Sequence, residues 1–170
     1  DDDYFWTIKE EMSTNFNKPN SNIEKFIDSL TNVLKITYEQ WNNIFRLNKL
    51  SDNFLEKYCD CYPFELIGKY QRPSNRTLLY LFQFKNPYKN MKSLPINQWV
   101  FERTILTWRN TEDKKQAIQD LFNNPYISWD EWDEQFFEQN IDIFDLHELN
   151  KLKSFSNNFC KKYNLDYRWK

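Results

Sequence analysis

The stretch SNIEKFIDSLTNV, residues 21–33, sets the fold class of this chain. Its apolar residues recur every three or four positions, which is the pattern of an amphipathic helix. They are Ile23, Phe26, Ile27, Leu30 and Val33. Ser21 and Glu24 form the pattern of a capping box at the start of this helix. Similar patterns recur along the chain, so the sequence predicts an all-α fold of about seven to nine helices.

Other segments carry comparable helix signals. Apolar residues from Phe5 to Phe16 have helical spacing, and Pro19 ends that segment. Thr37 with Gln40 forms a second capping box. One run, RTLLYLFQF (76–84), is continuously apolar and fits a buried helix or a strand. Paired with WVFERTILTW (99–108), it allows an alternative α+β fold with a short hairpin around residues 77–108.

Two pairs of segments resemble each other. ITYEQWNNIF (36–45) matches ISWDEWDEQF (127–136) and aligns Trp41 with Trp132, whereas SDNFLEKY (51–58) matches SNNFCKKY (156–163). The sequence therefore predicts a tandem duplication. Its helical units are residues 1–62 and 99–170, joined within one compact domain by a proline-punctuated basic connector, residues 63–98. We expect Trp41 and Trp132 each to start a helix after a Ser or Thr cap and to pack in the core of its own unit.

Composition excludes several classes of protein. No apolar run approaches the ~20 residues of a membrane span, and the acidic start has no signal-peptide layout. One His and one Gly leave the usual catalytic and nucleotide-binding motifs incomplete, so we expect neither an enzyme nor a cofactor. Cys59, Cys61 and Cys160 are odd in number, which favours a reducing compartment, the cytoplasm or the nucleus. Export or secretion remains open if a targeting segment was trimmed. The three cysteines and His147 do not have the spacing of known zinc ligands, so no metal is expected.

Charge is distributed unevenly along the chain. Residues 66–101 contain no acid, whereas residues 112–148 carry eleven acids and two lysines. Interleaved basic and aromatic residues are typical of surfaces that bind acidic partners or phosphate backbones. The alternative is that the basic stretch lies against the acidic one and only neutralises it. Our candidate contact residues are Lys69, Arg72, Arg76, Lys85, Tyr88 and Lys89, with Trp129 as a possible partly exposed anchor.

The sequence thus predicts a non-enzymatic interaction module that binds an acidic protein segment in a basic, aromatic groove between the units. A nucleic-acid-binding module using the same patch is the alternative, although the pI near 5.6 counts against it. The Asn- and Lys-rich, tryptophan-marked helical character also resembles exported helical proteins of malaria parasites. That resemblance implies a further alternative, a host-interaction protein of an AT-rich parasite or other pathogen.

Overall fold

A computed structural model describes residues 18–84 and 91–167 of the chain. The chain divides into two compact units, Asp1–Phe84 and Lys85–Lys170. The described residues form ten α-helices and no strand, so the predicted all-α class is confirmed. The alternative hairpin around residues 77–108 is wrong, because its described residues lie mainly in helices. The predicted helix over residues 5–16 lies outside the described residues.

Unit 1 contains five of the helices. They are α1 (Ser21–Ser29), α2 (Tyr38–Leu47), α3 (Asp52–Lys57), α4 (Glu65–Tyr70) and α5 (Asn75–Gln83), with a 3-10 turn at Val33–Lys35. Thr37 and Gln40 form the predicted capping box of α2. The predicted box at Ser21 is wrong, because Asn20 caps α1 and the Glu24 carboxylate binds elsewhere. Helix α2 packs against α4, and α3 packs against α5.

Unit 2 contains the other five helices. They are α6 (Gln98–Arg103), α7 (Thr111–Phe122), α8 (Glu134–Gln139), α9 (Leu146–Leu149) and α10 (Asn157–Tyr163), with 3-10 turns at Ile105–Thr107 and Trp129–Glu131. Most are one or two turns long. Leu149, Leu152, Phe155 and Phe159 have the spacing of one helical stripe, but Leu149 ends α9, Phe159 lies in α10, and Leu152 and Phe155 lie between the two helices.

Each unit has an aromatic core around one tryptophan. Trp41 is 1% exposed and makes edge contacts with Phe45 and Tyr62 in unit 1. Trp132 is 2% exposed and packs on Trp129 and Phe137 in unit 2. Offset and edge-to-face ring pairs of this kind add to the free energy gained by burial. The prediction that both indoles lie in the core of their own unit is confirmed.

The segment around Trp132 differs from the prediction in its local structure. Ser128 makes no capping hydrogen bond, and Trp129–Glu131 is a 3-10 turn instead of the start of an α-helix. Helix α8 begins only at Glu134, so Trp132 precedes a helix, whereas Trp41 lies within one. The buried Lys153 holds this turn, because its ammonium donates to three backbone carbonyls of the segment. They are the carbonyls of Trp129, Asp130 and Trp132, at 3.2, 3.2 and 2.6 Å.

A pair of helices in unit 1 is joined by two polar contacts, which we call the clamp. At one end, both the backbone N–H and the hydroxyl of Ser51, the N-cap of α3, donate to the Glu24 carboxylate of α1. At the other end, Lys57 and Tyr58 donate to Asp28, one turn further along α1. Because successive turns of α1 bind the start and the end of α3, the two helices run in the same direction.

Unit 2 contains the same clamp. The N–H and hydroxyl of Ser156, the N-cap of α10, donate to the Glu134 carboxylate of α8. Lys162 donates to Glu138 at 3.0 Å, which equals the Lys57–Asp28 distance in unit 1. The segments SDNFLEKY and SNNFCKKY therefore have equivalent roles, as their alignment predicts.

The residues of the two clamps define an offset between the repeats that differs from the offset in the sequence alignment. Glu24 and Asp28 are equivalent to Glu134 and Glu138, both 110 positions later. The sequence alignment had used an offset of 91, based on Trp41 and Trp132. In the chain, Trp41 lies between the two helices of its clamp, whereas Trp132 precedes both helices of the second clamp. The two tryptophans are both core residues but are not equivalent positions of the clamp.

Candidate protein-binding surface

The corner between α4 and α5 is held in place by a buried amide. Gln71, the C-cap of α4, is 1% exposed, and its Nε2 donates to the carbonyls of Phe45 and Asn48 at 2.8 and 2.7 Å. Its Oε1 accepts the N–H of Leu50 at 3.0 Å. Ser74 then caps α5. Since every polar atom of the Gln71 amide has a backbone partner, the corner is a rigid support for side chains that point outward.

Three cationic side chains are exposed at this corner: Lys69, Arg72 and Arg76. Arg72 donates from Nη1 to the carbonyls of Gly68 and Gln71 at 3.0 and 2.7 Å. Its charge thus lies at the C-terminal end of α4, where the helix dipole favours a cation. Arg76 lies in the first turn of α5, and Lys69 lies in the last turn of α4.

An exposed ring completes the surface. Tyr80 is 44% exposed and follows Arg76 by one helical turn, and its ring centroid is 6.1 Å from that of Phe84. Sequence reasoning did not select Tyr80, because the run RTLLYLFQF looked uniformly apolar. The four-residue spacing of Arg76, Tyr80 and Phe84 was the available signal, since it places all three on one side of a helix. We call Lys69, Arg72, Arg76 and Tyr80 the corner surface.

Beside the corner surface, Tyr38 of α2 contacts α4. Its side chain is 48% exposed, and its hydroxyl donates to Oε1 of Glu65 at 2.5 Å. That hydrogen bond raises the pKa of Tyr38, while the Lys69 ammonium acts on the same hydroxyl in the opposite direction. Tyr38, Glu65 and Lys69 therefore form one polar group, the Tyr38 cluster, which links the corner surface to the start of α2.

The predicted contact residues fall into three sets. Lys69, Arg72 and Arg76 all lie at the α4–α5 corner with exposed side chains. The remaining connector candidates lie outside the described residues; they are Lys85, Tyr88 and Lys89. Trp129 is 4% exposed, so it is not the partly exposed anchor considered above.

Burial of Trp129 has a clear physical reason. Its ring packs against Phe122, Trp132 and Phe137, with centroids 4.7–6.5 Å away. Its carbonyl also accepts a hydrogen bond from Lys153. An indole with this many ring neighbours is held in the core and has no face available to a partner. In the alignment of residues 36–45 with 127–136, Trp129 corresponds to Tyr38, and Tyr38 is the exposed one of the two.

Two of the three cysteines, Cys61 and Cys160, have thiols with raised pKa values. Burial raises the pKa of the Cys61 thiol, and the nearby Asp60 carboxylate adds to this effect. Burial also raises the pKa of Cys160. Both thiols are thus held in the protonated form, which is the unreactive one. Within residues 18–84 and 91–167, no group of three His, Cys, Asp or Glu side chains is arranged to hold a metal ion.

A cavity of about 310 Å³ lies on unit 2. It is lined by His147, Asn150, Lys151, Asn164 and Asp166. Ligand pockets are usually walled by apolar and aromatic side chains and extend up to ~1,000 Å³, so this cavity is small and unusually polar. Lys151 is also paired with Glu148 at 3.1 Å. These features favour a wet surface depression over a ligand site.

Comparisons with protein-family models, with curated proteins and with solved structures find no match for this chain. Within the described part of the chain, every helix is too short or too polar to cross a bilayer.

Proposed function

We propose that the chain is a non-enzymatic helical interaction module that binds an acidic protein segment through the corner surface of unit 1. The observation that carries this proposal is the exposure of three cations at a corner fixed by Gln71, with the exposed Tyr80 ring one helical turn after Arg76. Arg and Tyr are the residue types that dominate binding hot spots, because both combine a broad apolar face with hydrogen-bonding groups.

Rigidity of the support favours binding. Association costs free energy whenever side chains or loops must be ordered, so a preformed surface loses less on complex formation. The backbone of the corner is already held by the Gln71 amide and by the Ser74 cap. Cations at the rim would then steer an acidic partner and determine its orientation.

The size of the charged area favours a protein partner over nucleic acid. Residues 18–84 contain nine Lys or Arg and seven Asp or Glu. A nucleic-acid interface typically neutralises about six to ten phosphates, and its domain is strongly basic. Three exposed cations match a short acidic peptide segment better. The odd number of cysteines, with Cys59 and Cys61 only one residue apart, supports a reducing compartment, the cytoplasm or the nucleus, as the place of action.

The test is a titration by fluorescence anisotropy with a labelled nine-residue peptide of Glu-Glu-Phe repeats. Its Gln-Gln-Phe counterpart measures binding without charge. Arg76→Ser/Tyr80→Ala removes one cation and one ring from the corner surface. The matched control is Lys25→Ser/Tyr167→Ala, which removes an exposed cation from α1 and a tyrosine that is 47% exposed.

We expect the corner variant to weaken binding of the acidic peptide roughly tenfold, and the control to change it less than about twofold. Equal effects of the two variants would refute the corner surface as the binding site. Tighter binding of an oligothymidylate, with a steep loss of affinity as salt is raised, would favour the nucleic-acid alternative instead.

A further inference from the structure

The Tyr38 cluster contains the one acid that the described contacts place against the exposed ring beside the corner surface. Glu65 is the last acid before the acid-free stretch 66–101, and its Oε1 accepts the Tyr38 hydroxyl. Two further acids contact α5, but they bind groups at its capped N-terminus. Asp52 accepts the Ser74 N–H at 3.4 Å, and Glu56 accepts the Thr77 hydroxyl at 3.2 Å.

The Glu65 carboxylate makes the contacts that a carboxylate of an acidic partner would seek. It accepts a hydrogen bond from a half-exposed tyrosine, and the Lys69 ammonium acts on that same hydroxyl. Glu65 is itself only half-buried, so these contacts lie at the surface and not in the core. Surface contacts of this kind are weak enough to be exchanged for a partner's.

We propose that Glu65 is an internal competitor of the acidic partner: its carboxylate accepts the Tyr38 hydroxyl, on which Lys69 also acts, and a partner carboxylate takes that place in the complex. This inference rests on the proposed function and names the regulation of the same surface. A partner must displace Glu65, so its affinity is reduced by the fraction of molecules in which Glu65 is in place. Glu65 thereby selects against segments of low charge density.

The test compares two charge-neutral variants in the peptide titration. Glu65→Gln keeps the size of the side chain and an oxygen that can still accept the Tyr38 hydroxyl, so the fold should be retained. Glu39→Gln is the matched control, since Glu39 is exposed on α2 and makes the same change in net charge outside the Tyr38 cluster. Circular dichroism and thermal unfolding are to be measured on both variants, to check that each is folded.

We expect Glu65→Gln to raise the affinity for the Glu-Glu-Phe peptide three- to tenfold and Glu39→Gln to raise it less than twofold. The gain should be absent with the Gln-Gln-Phe peptide, which cannot supply a competing carboxylate. Equal gains from both variants would overturn the proposal, because net charge alone would explain them. No gain from Glu65→Gln would also overturn it.

A double-mutant cycle tests the geometry. In the wild-type background, Tyr38→Phe should change the affinity little, because Glu65 already accepts the Tyr38 hydroxyl. In the Glu65→Gln background, Tyr38→Phe should cancel most of the gain, because the neutral amide is a weaker acceptor than a carboxylate and gives up the Tyr38 hydroxyl to the peptide. Additive effects would contradict the shared position.

Failure of the two proposals can be told apart. If Arg76→Ser/Tyr80→Ala weakens binding and Glu65→Gln does not strengthen it, the inference fails and the proposed function stands. If Glu65→Gln strengthens binding and the Arg76→Ser/Tyr80→Ala variant matches its control, the partner binds at the Tyr38 cluster and the corner surface is wrong. If no variant binds the acidic peptide, both fail.

Discussion

Units 1 and 2 contain the same clamp, but the backbone next to it is held by different side chains. Equivalent positions 105 residues apart are Asn48 in unit 1 and Lys153 in unit 2, each three residues before the serine cap and each buried. Asn48 donates to the carbonyl of Ile44 and accepts from Asn20, which are neutral hydrogen bonds. Lys153 instead brings a full charge into the core.

The difference follows from the backbone that each side chain meets. In unit 1, α2 is a regular helix of ten residues, and a short amide satisfies its last turn. In unit 2, the 3-10 turn at Trp129–Glu131 directs three carbonyls to one point, where a compact cation with three donors fits. Rings of Phe137 and Phe155 lie 6.0 and 5.7 Å from the ammonium and add favourable cation–π contacts.

The largest effect that this comparison predicts is at Lys153. Lys153→Met preserves most of the side-chain volume but leaves three backbone carbonyls, two of them in buried hydrogen bonds, without their donor. The free energy of unfolding should therefore fall by about 3 kcal/mol. Lys151→Met is the control, since it removes an exposed lysine whose ion pair with Glu148 lies at the surface, and it should cost less than about 0.5 kcal/mol. Urea unfolding followed by circular dichroism measures both. Equal costs would show that Lys153 is not the support of the Trp129–Glu131 turn.

The second effect concerns the buried amides that hold each unit. Gln71 in unit 1 and Asn124 in unit 2 each donate to two backbone carbonyls and accept one backbone N–H. Gln71→Leu and Asn124→Leu should each lower the free energy of unfolding by about 2 kcal/mol, because three backbone groups lose their partners. Gln83→Leu, on the exposed side of α5, is the control. If Gln71→Leu costs no more than Gln83→Leu, Gln71 does not support the corner surface.

The third effect tests the equivalence of the clamps. Ser51→Ala and Ser156→Ala each remove an N-cap and one bond to the clamp glutamate, so each should cost about 1 kcal/mol. The two costs should agree within about 0.5 kcal/mol if the clamps are equivalent. Ser21→Ala should cost almost nothing, because Asn20 caps α1. Unequal costs for Ser51 and Ser156 would contradict equivalence.

Local features of this fold were predictable from the sequence, whereas contacts between distant segments were not. The stripe of α1 and the Thr37 box depend only on residues within one or two turns, and both were identified. Glu24 looked like part of a local box, but its partner, Ser51, is 27 residues away. Lys153 looked like one more surface lysine in a Lys-rich chain, because no local pattern reveals carbonyls more than twenty residues away.

The same distinction between local features and distant contacts applies to the candidate surface. Lys69, Arg72 and Arg76 were selected from the charge pattern of the sequence, and all three are exposed in the structure. The burial of Trp129 depends on which rings surround it, and that is decided by tertiary packing. Tyr80 was missed because an apolar run does not reveal which of its residues faces outward until the helix axis is known.

The smallest effect is the pH dependence of stability that comes from the Asp28 end of one clamp and the Glu138 end of the other. Hydrogen bonds from Tyr58 and then Lys57 lower the pKa of Asp28, and a hydrogen bond from Lys162 lowers the pKa of Glu138. A carboxyl whose pKa is lower in the folded state stabilises the fold above its unfolded pKa, and this contribution is lost as pH falls through the folded pKa. Salt should weaken both contributions, because these ion pairs are exposed.

Asp28→Asn and Glu138→Gln should therefore destabilise the protein slightly at neutral pH. The difference from wild type should disappear below the normal titration range of carboxyl groups, where the wild-type side chains are protonated as well. At high pH the sign reverses for the lysines: the pKa values of Lys57 and Lys162 are raised by these same carboxylates, so their contribution is lost only above the normal lysine range. The urea midpoints of wild type and both variants, measured across the pH range, test these expectations. A difference that persists in acid would mean that packing, not charge, distinguishes the variants, and parallel profiles for both would sustain the equivalence of the two clamps.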